Sequence, residues 1–136
     1  HSHELVHLIF GSFSKTHSFL IEGLSTWLGG SLGQSFETLS KIMAKDYVSR
    51  AQPLTFDEVI LAEQKESLAY YMYGAIICKQ VFHLSGGSGL KRFLDDARIE
   101  THGLKSLIAK YLAIQEYEID AFIRTSLLDS HMSSGD

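Results

Sequence analysis

The sequence predicts a mainly α-helical domain. Apolar residues recur at spacings of three and four along nearly the whole chain, which is the period of one face of an α-helix. Only one proline occurs in the 136 residues, and alternating runs of β-branched residues are few. With 45% hydrophobic residues, the chain is long enough to bury one core. We therefore expect one compact multi-helix domain over residues 1–128 and a flexible tail over residues 129–136.

The expected helices follow one another with short connections. The first begins at a cap on Ser2 and runs to about Phe10, and because it is apolar on almost every side we expect it to be buried. The second spans Phe19 to Gly29, where two glycines end it. Later helices are expected at 34–49, 55–62, 65–84 and 90–98, and in a pair joined near 113–114. The 65–84 helix is apolar on all sides, so we expect it to cross the centre of the domain.

Two patterns mark helix ends in the second half of the chain. The segment Thr55-Phe56-Asp57-Glu58 has the form of a capping box, in which the Thr and Glu side chains each bond the other residue's backbone N–H. Residues 85–89 are rich in glycine and are expected to form a turn between two helices. A phosphate-binding role for this turn is disfavoured, because no predicted strand precedes it and no Gly-Lys-Ser/Thr ending follows it.

The most informative motif is His3-Glu4-Leu5-Val6-His7, at the start of the chain. Each residue of an α-helix turns by about 100°, so His3 and His7 lie on one face and can direct one nitrogen each at the same metal ion. Glu4 projects beside them, where it can hold a metal-bound water and accept its proton. A catalytic zinc has three protein ligands and one open position, which leaves one protein ligand to find.

Glu22, in Ile21-Glu22-Gly23-Leu24-Ser25, is the best candidate for the third ligand. It falls on the side of the second helix opposite the apolar residues Leu20 and Leu24. The residues three and four positions away from it are mostly small or hydroxyl-bearing, which suits the wall of a cleft: Ser18, Phe19, Ser25 and Thr26. Turn-forming residues between the two segments allow the chain to fold back and bring Glu22 against His3 and His7.

An HExxH motif followed by such an EGLS segment resembles the gluzincin metallopeptidases, the thermolysin-like group with a Glu third ligand. Residues 69–77 resemble the tyrosine-containing helix of many bacterial members, and residues 103–124 resemble their closing helical pair. The resemblance implies that this chain is a single helical metallopeptidase-like domain that binds Zn²⁺ and hydrolyses peptide or protein substrates. It assigns these roles: ligands His3, His7 and Glu22, general base Glu4, and oxyanion donor Tyr71 with Tyr70 as its substitute.

The chain also departs from the gluzincin pattern. Its connection between HExxH and Glu22 is shorter than in thermolysin itself, which is compatible with a compact variant. Gluzincins place a β-sheet before the HExxH helix, and an edge strand of that sheet binds the substrate backbone. This sequence starts at the helix. The resemblance therefore implies that an N-terminal segment or a second chain supplies the sheet, or that the sheet has been lost.

Composition disfavours several other classes of function. The net charge of −4 provides no electrostatic footprint for nucleic acid, which is bound through clustered Lys and Arg. No apolar run reaches the length needed to span a membrane. The single Cys78 lies among Ile76, Ile77 and Val81, as a small buried hydrophobe would.

Two other interpretations of the chain stay open beside the metallopeptidase. One is an interaction or structural module that keeps the gluzincin helices but does not turn over substrate. The other is a helical bundle without a metal, whose stability a chelator would leave unchanged, since only a bound ion stabilises the native state by linkage.

Overall fold

The computed structural model describes residues 16–30, 33–61, 68–97 and 103–133, which are mainly helical and include no β-strand. The predicted fold class, a mainly α multi-helix domain, is confirmed for this part of the chain. The helix predicted over residues 2–10 lies outside it. The described helices are α1 Ser18–Gly29, α2 Phe36–Ser49, α3 Phe56–Leu61, α4 Leu68–Asp96, α5 Leu104–Leu112, a 3₁₀ turn Glu116–Glu118 and α6 Ile119–Ser133.

Helices α1 and α4 form the main packing contact, and two glycines bring their backbones together. A Cβ added to Gly23 of α1 would collide with the backbone carbonyl carbon of Gly74 in α4. A Cβ added to Gly74 would lie 2.5 Å from the carbonyl oxygen of Phe19 and 3.1 Å from the Cα of Gly23. The helices therefore approach so closely at this point that only glycine fits on either side.

Ring contacts at both ends of α1 show that it runs in the same direction as the first part of α4. Near the start of α1, the Phe19 ring lies edge-on to Tyr70, with centroids 5.3 Å apart. Near its end, the Trp27 ring contacts Phe82 at 5.4 Å. Phe19 and Tyr70 are almost fully buried, whereas 42% of Phe82 is exposed. The expectation that this stretch of α4 crosses the centre is met by its first three turns, while its end reaches the surface.

Helix α4 folds back at Gly86. That residue has φ 70° and ψ −173°, a conformation that glycine adopts readily and that no helix contains. Beyond it the chain returns to the start of α1, where the carbonyl of Leu94 accepts a hydrogen bond from the Thr16 hydroxyl at 2.7 Å. The glycine-rich segment does break the helix as predicted, but at one residue and not over all of residues 85–89, because helical turns continue on both sides of Gly86.

The predicted capping box at the start of α3 is confirmed. The Thr55 N–H donates to Glu58 Oε1 at 3.0 Å, and the Glu58 N–H donates to Thr55 Oγ1 at 3.1 Å. A third helix N-terminal donor, the Phe56 N–H, is bound by the Asp120 carboxylate of α6 at 2.7 Å. The N–H donors at the start of α3 are therefore bonded locally by Thr55 and Glu58 and across the domain by Asp120 of α6.

Helices α5 and α6 form the predicted pair joined near residues 113–114. Ala113 ends α5 in the left-handed conformation, with φ 59°. Its N–H bonds the carbonyls at the end of α5, as left-handed helix ends commonly do. Helix α6 then continues to Ser133. Residues 129–133 are thus helical, whereas the sequence predicts a tail that begins at residue 129.

The described helices bury a continuous core built from all six of them. Cys78 is fully buried in it, and burial raises the pKa of its thiol, so the prediction of a small buried hydrophobe is confirmed. In α2, by contrast, Ile42 is 43% exposed. Among the helices described, none is long and apolar enough to span a lipid bilayer, in agreement with the sequence.

The glycine contact between α1 and α4 predicts that a methyl group at position 23 destabilises the fold. Gly23→Ala should lower the free energy of unfolding by about 2 kcal/mol or more, because overpacking against a backbone cannot be relieved by moving a side chain. Gly29→Ala is the matched control, since a Cβ there meets nothing within 4 Å in the same helix. Urea denaturation of both variants measures the difference. Equal stabilities would show that the two backbones are not in contact.

Candidate functional site

The residues predicted to form the site fall in two groups. His3, Glu4 and His7 lie outside the described residues, whereas Glu22 and Tyr71 lie within them. Among the described residues, no group of three or more His, Cys, Asp and Glu side chains is arranged to hold a metal ion. Glu22 is thus the one proposed zinc ligand whose surroundings can be described.

Glu22 lies on the exposed side of α1. Its neighbour Gly23 is buried against α4, and this contact sets the rotation of the helix about its axis. Successive residues on a helix are about 100° apart, so a helix that buries position 23 at its closest contact presents position 22 to one side. The expectation that Glu22 faces away from the core is confirmed, and its carboxylate is accessible to a ligand from solvent.

Fewer of the residues around Glu22 reach the surface than the sequence predicts. Ser18 is exposed and Ser25 is half-buried, as expected of a cleft wall. Phe19 and Thr26, assigned to the same strip, are core residues with 0% and 2% exposure. Phe19 is covered from two sides, because its ring lies edge-on to Phe56 of α3 and to Tyr70 of α4.

A tyrosine hydroxyl reaches this strip from α4. Tyr70 is 2% exposed, and its hydroxyl oxygen lies 2.8 Å from Ser18 Oγ, so the two hydroxyls share a hydrogen bond. Ser18 precedes Glu22 by four residues, which places them one turn apart on the same face. Packing of α1 on α4 therefore brings the Tyr70 hydroxyl to the face of α1 that carries Glu22.

The two neighbouring tyrosines have different surroundings. The gluzincin resemblance names Tyr71 first as the oxyanion donor. Tyr71 is half-buried, and its ring lies edge-on to Tyr70 with centroids 6.0 Å apart. Tyr73 donates a hydrogen bond to the carbonyl of Leu54 at 2.6 Å, and burial raises its pKa. Tyr73 thus holds the loop before α3. Of the three tyrosines, Tyr70 is the one whose hydroxyl is bonded to the Glu22-bearing face of α1.

The residues just before α1 are anchored to the end of α4. The His17 N–H donates to the Ala97 carbonyl at 2.9 Å, beside the Thr16 bond to Leu94. The Nδ1 atom of His17 accepts the Phe19 N–H at 3.2 Å and so caps α1. His17 is thus a helix-end residue whose side chain is buried, with 8% exposure.

This anchor fixes where the chain that carries His3, Glu4 and His7 joins α1. It enters at the end that bears Ser18, one turn before Glu22. The sequence contains Ser18 and Tyr70 but does not predict that their hydroxyls share a hydrogen bond. That pair depends on the rotation of α1 against α4, which no local pattern encodes.

Comparison with family models, curated proteins and solved structures found no match to the chain. The resemblance to gluzincins therefore depends on the motif residues of this sequence.

The Ser18–Tyr70 hydrogen bond can be tested by a double-mutant cycle. Ser18→Ala and Tyr70→Phe should show a coupling free energy of about 1 kcal/mol, the usual contribution of one hydrogen bond. The cycle isolates this bond from other contacts of Tyr70. Ser18→Ala with Tyr71→Phe is the control pair and should be additive. Urea denaturation measures all six proteins, and additivity in both cycles would refute the pairing.

Proposed function

We propose that this chain is the helical part of a zinc metallopeptidase domain of the gluzincin type, acting on peptide or protein substrates. The observation that carries the proposal is the exposed Glu22 on α1, downstream of a His3-Glu4-Leu5-Val6-His7 motif. In the proposal, His3 and His7 bind Zn²⁺ together with Glu22. The sequence motif supplies the two imidazoles, and the fold leaves the carboxylate accessible.

The donor set fits zinc. Two imidazole nitrogens and one carboxylate oxygen are a ligand combination of catalytic zinc sites, which keep a fourth position open. Glu22 lies on a well-packed helix, and its neighbour Gly23 is held against Gly74, so its backbone position is defined. A ligand on such an element loses little conformational freedom when a metal binds.

Chain length is also compatible with the proposed site. Ser18 and Glu22 are separated by about 6 Å along the axis of α1. Residues 8–15 connect His7 to the anchored Thr16, and an extended chain of that length reaches about 30 Å. The connection is therefore long enough for His7 to approach Glu22 from the end of α1 at which the chain enters.

The chemistry assigns separate tasks to the chain's own residues. When bound, Zn²⁺ would lower the pKa of a water molecule and polarise the substrate carbonyl. Glu4 would accept the proton of the attacking water and pass it to the leaving amine. A tyrosine hydroxyl would donate a hydrogen bond to the oxygen on which negative charge develops.

Tyr70 is better supported than Tyr71 for that last task. Its hydroxyl is bonded to Ser18, one turn before Glu22, whereas no such link connects Tyr71 to α1. Ser18 would then orient the Tyr70 hydroxyl by accepting or donating one hydrogen bond. The sequence resemblance names Tyr71 first and Tyr70 as its substitute, and the packing favours the reverse order.

The zinc site predicts the metal content of the purified chain. Zinc should be near stoichiometric by elemental analysis and should fall several-fold in Glu22→Ala, because a three-ligand site loses one ligand. Glu37→Ala is the control, since Glu37 is an exposed glutamate on α2, away from this face. Both variants should fold, because both side chains are exposed. Unchanged zinc in Glu22→Ala would show that this residue is not a ligand.

The proposed roles of Glu4 and Tyr70 predict the effects of substitution on peptide hydrolysis. Glu4→Gln should abolish hydrolysis of a casein substrate while zinc stays bound. Tyr70→Phe should lower kcat by tenfold or more, as expected for loss of about 1.4 kcal/mol of transition-state stabilisation. Tyr71→Phe should have a smaller effect. Zinc binding without any hydrolysis by the unsubstituted chain would support the alternative function, a non-catalytic interaction or structural module.

A further inference from the structure

A cavity lies away from the proposed zinc site, between the end of α2, the loop that follows α2, and α6. Its volume is about 400 Å³, within the range of small-molecule sites. It includes no residue of α1 or α4, so it is separate from the face that carries Glu22.

The described residues that line this cavity carry positive charge only. Arg50 and Arg124 belong to the lining, and no acidic residue of the described part does. Two carboxylates lie outside the lining, and each accepts a hydrogen bond. Asp46 Oδ2 accepts the Nε–H of Arg50 at 2.8 Å, and Asp120 Oδ1 accepts the Phe56 N–H at 2.7 Å.

These contacts leave guanidinium donors available. Asp46 binds Arg50 through Nε, so the two terminal nitrogens of Arg50 keep their donors. Among the described residues, none forms an ion pair with Arg124, which is exposed on α6. Two guanidinium groups on one cavity form a site for an oxyanion, because each presents a planar fork of donors.

The rest of the wall is apolar apart from one hydroxyl. Val48, Pro53 and Leu128 line it, and Val48 is 44% exposed. Tyr47 adds its phenol, whose pKa is raised by burial, so the hydroxyl keeps its proton and can donate. The cavity therefore offers an anion site beside an apolar wall.

Another cavity among the described residues has a different charge pattern. A groove of about 340 Å³ between α2, α4 and α6 is lined by Lys41 and Lys79 but also by Glu37 and Asp129. Its lining contains two basic and two acidic side chains, whereas the carboxylates near Arg50 and Arg124 lie outside the lining of their cavity. In a chain with a net charge of −4, a lining with two arginines and no carboxylate among the described residues matches a negatively charged ligand.

We propose that this cavity binds a small organic carboxylate, with its carboxylate between Arg50, Arg124 and the Tyr47 hydroxyl and its apolar body against Val48, Pro53 and Leu128. The inference is independent of the proposed peptidase function, because it uses none of the residues assigned to zinc.

The test is an NMR titration of the full chain with sodium benzoate at constant ionic strength, followed through backbone amide shifts. Benzoate should give saturable shifts at residues 47–52 and 124–128. Arg124→Gln should weaken binding about tenfold, through loss of a charge-assisted hydrogen bond. Arg92→Gln is the matched control, because Arg92 is an exposed arginine that does not line the cavity, and its affinity should not change.

Three results would overturn the proposal. The first is the absence of saturable shifts at these residues. The second is an equal loss of affinity in Arg124→Gln and Arg92→Gln, which would show attraction to overall charge. The third is inorganic phosphate binding as tightly as benzoate, since the apolar wall would then contribute nothing. Because zinc also binds carboxylates, shifts confined to residues around Glu22 would count against the cavity.

Discussion

The close approach of α1 and α4 at Gly23 and Gly74 is the constraint on which the rest of the described structure depends. The two backbones are in contact there, so neither helix can rotate or slide without a collision. Large aromatic side chains fill the space on both sides, with Phe19 against Tyr70 at one end and Trp27 against Phe82 at the other. Small residues at the closest point and large ones beyond it define a single register between the helices.

That register also determines what the candidate site looks like. Since Gly23 is the residue in contact, Glu22 is turned to solvent and Ser18 is turned to the Tyr70 hydroxyl. The glycine of the Glu-Gly segment thus has a packing role, and the glutamate beside it owes its accessibility to the same contact. The reversal of α4 at Gly86 completes the arrangement, because it returns Leu94 and Ala97 to the residues that precede α1.

The polar groups of the domain divide into those that hold the fold and those left for ligands. Asp120 and the Thr55–Glu58 pair bind helix N-terminal donors, and the Tyr73 hydroxyl holds the loop before α3. Among the described residues, neither Glu22 nor Arg124 binds a helix end or holds a loop in this way. They lie on separate faces, so the proposed zinc site and the proposed anion cavity share no residue.

The sequence by itself determined the local structure: the helical class, most helix positions, the capping box at Thr55, the turn at Ala113 and the outward side of Glu22. Each of these depends on residues within a few positions of one another. Only the tertiary structure decided the pairing of Ser18 with Tyr70 and the burial of His17 and Thr26. Those features depend on which residues of distant helices meet, and a periodic apolar pattern predicts that a face is buried without specifying its partner.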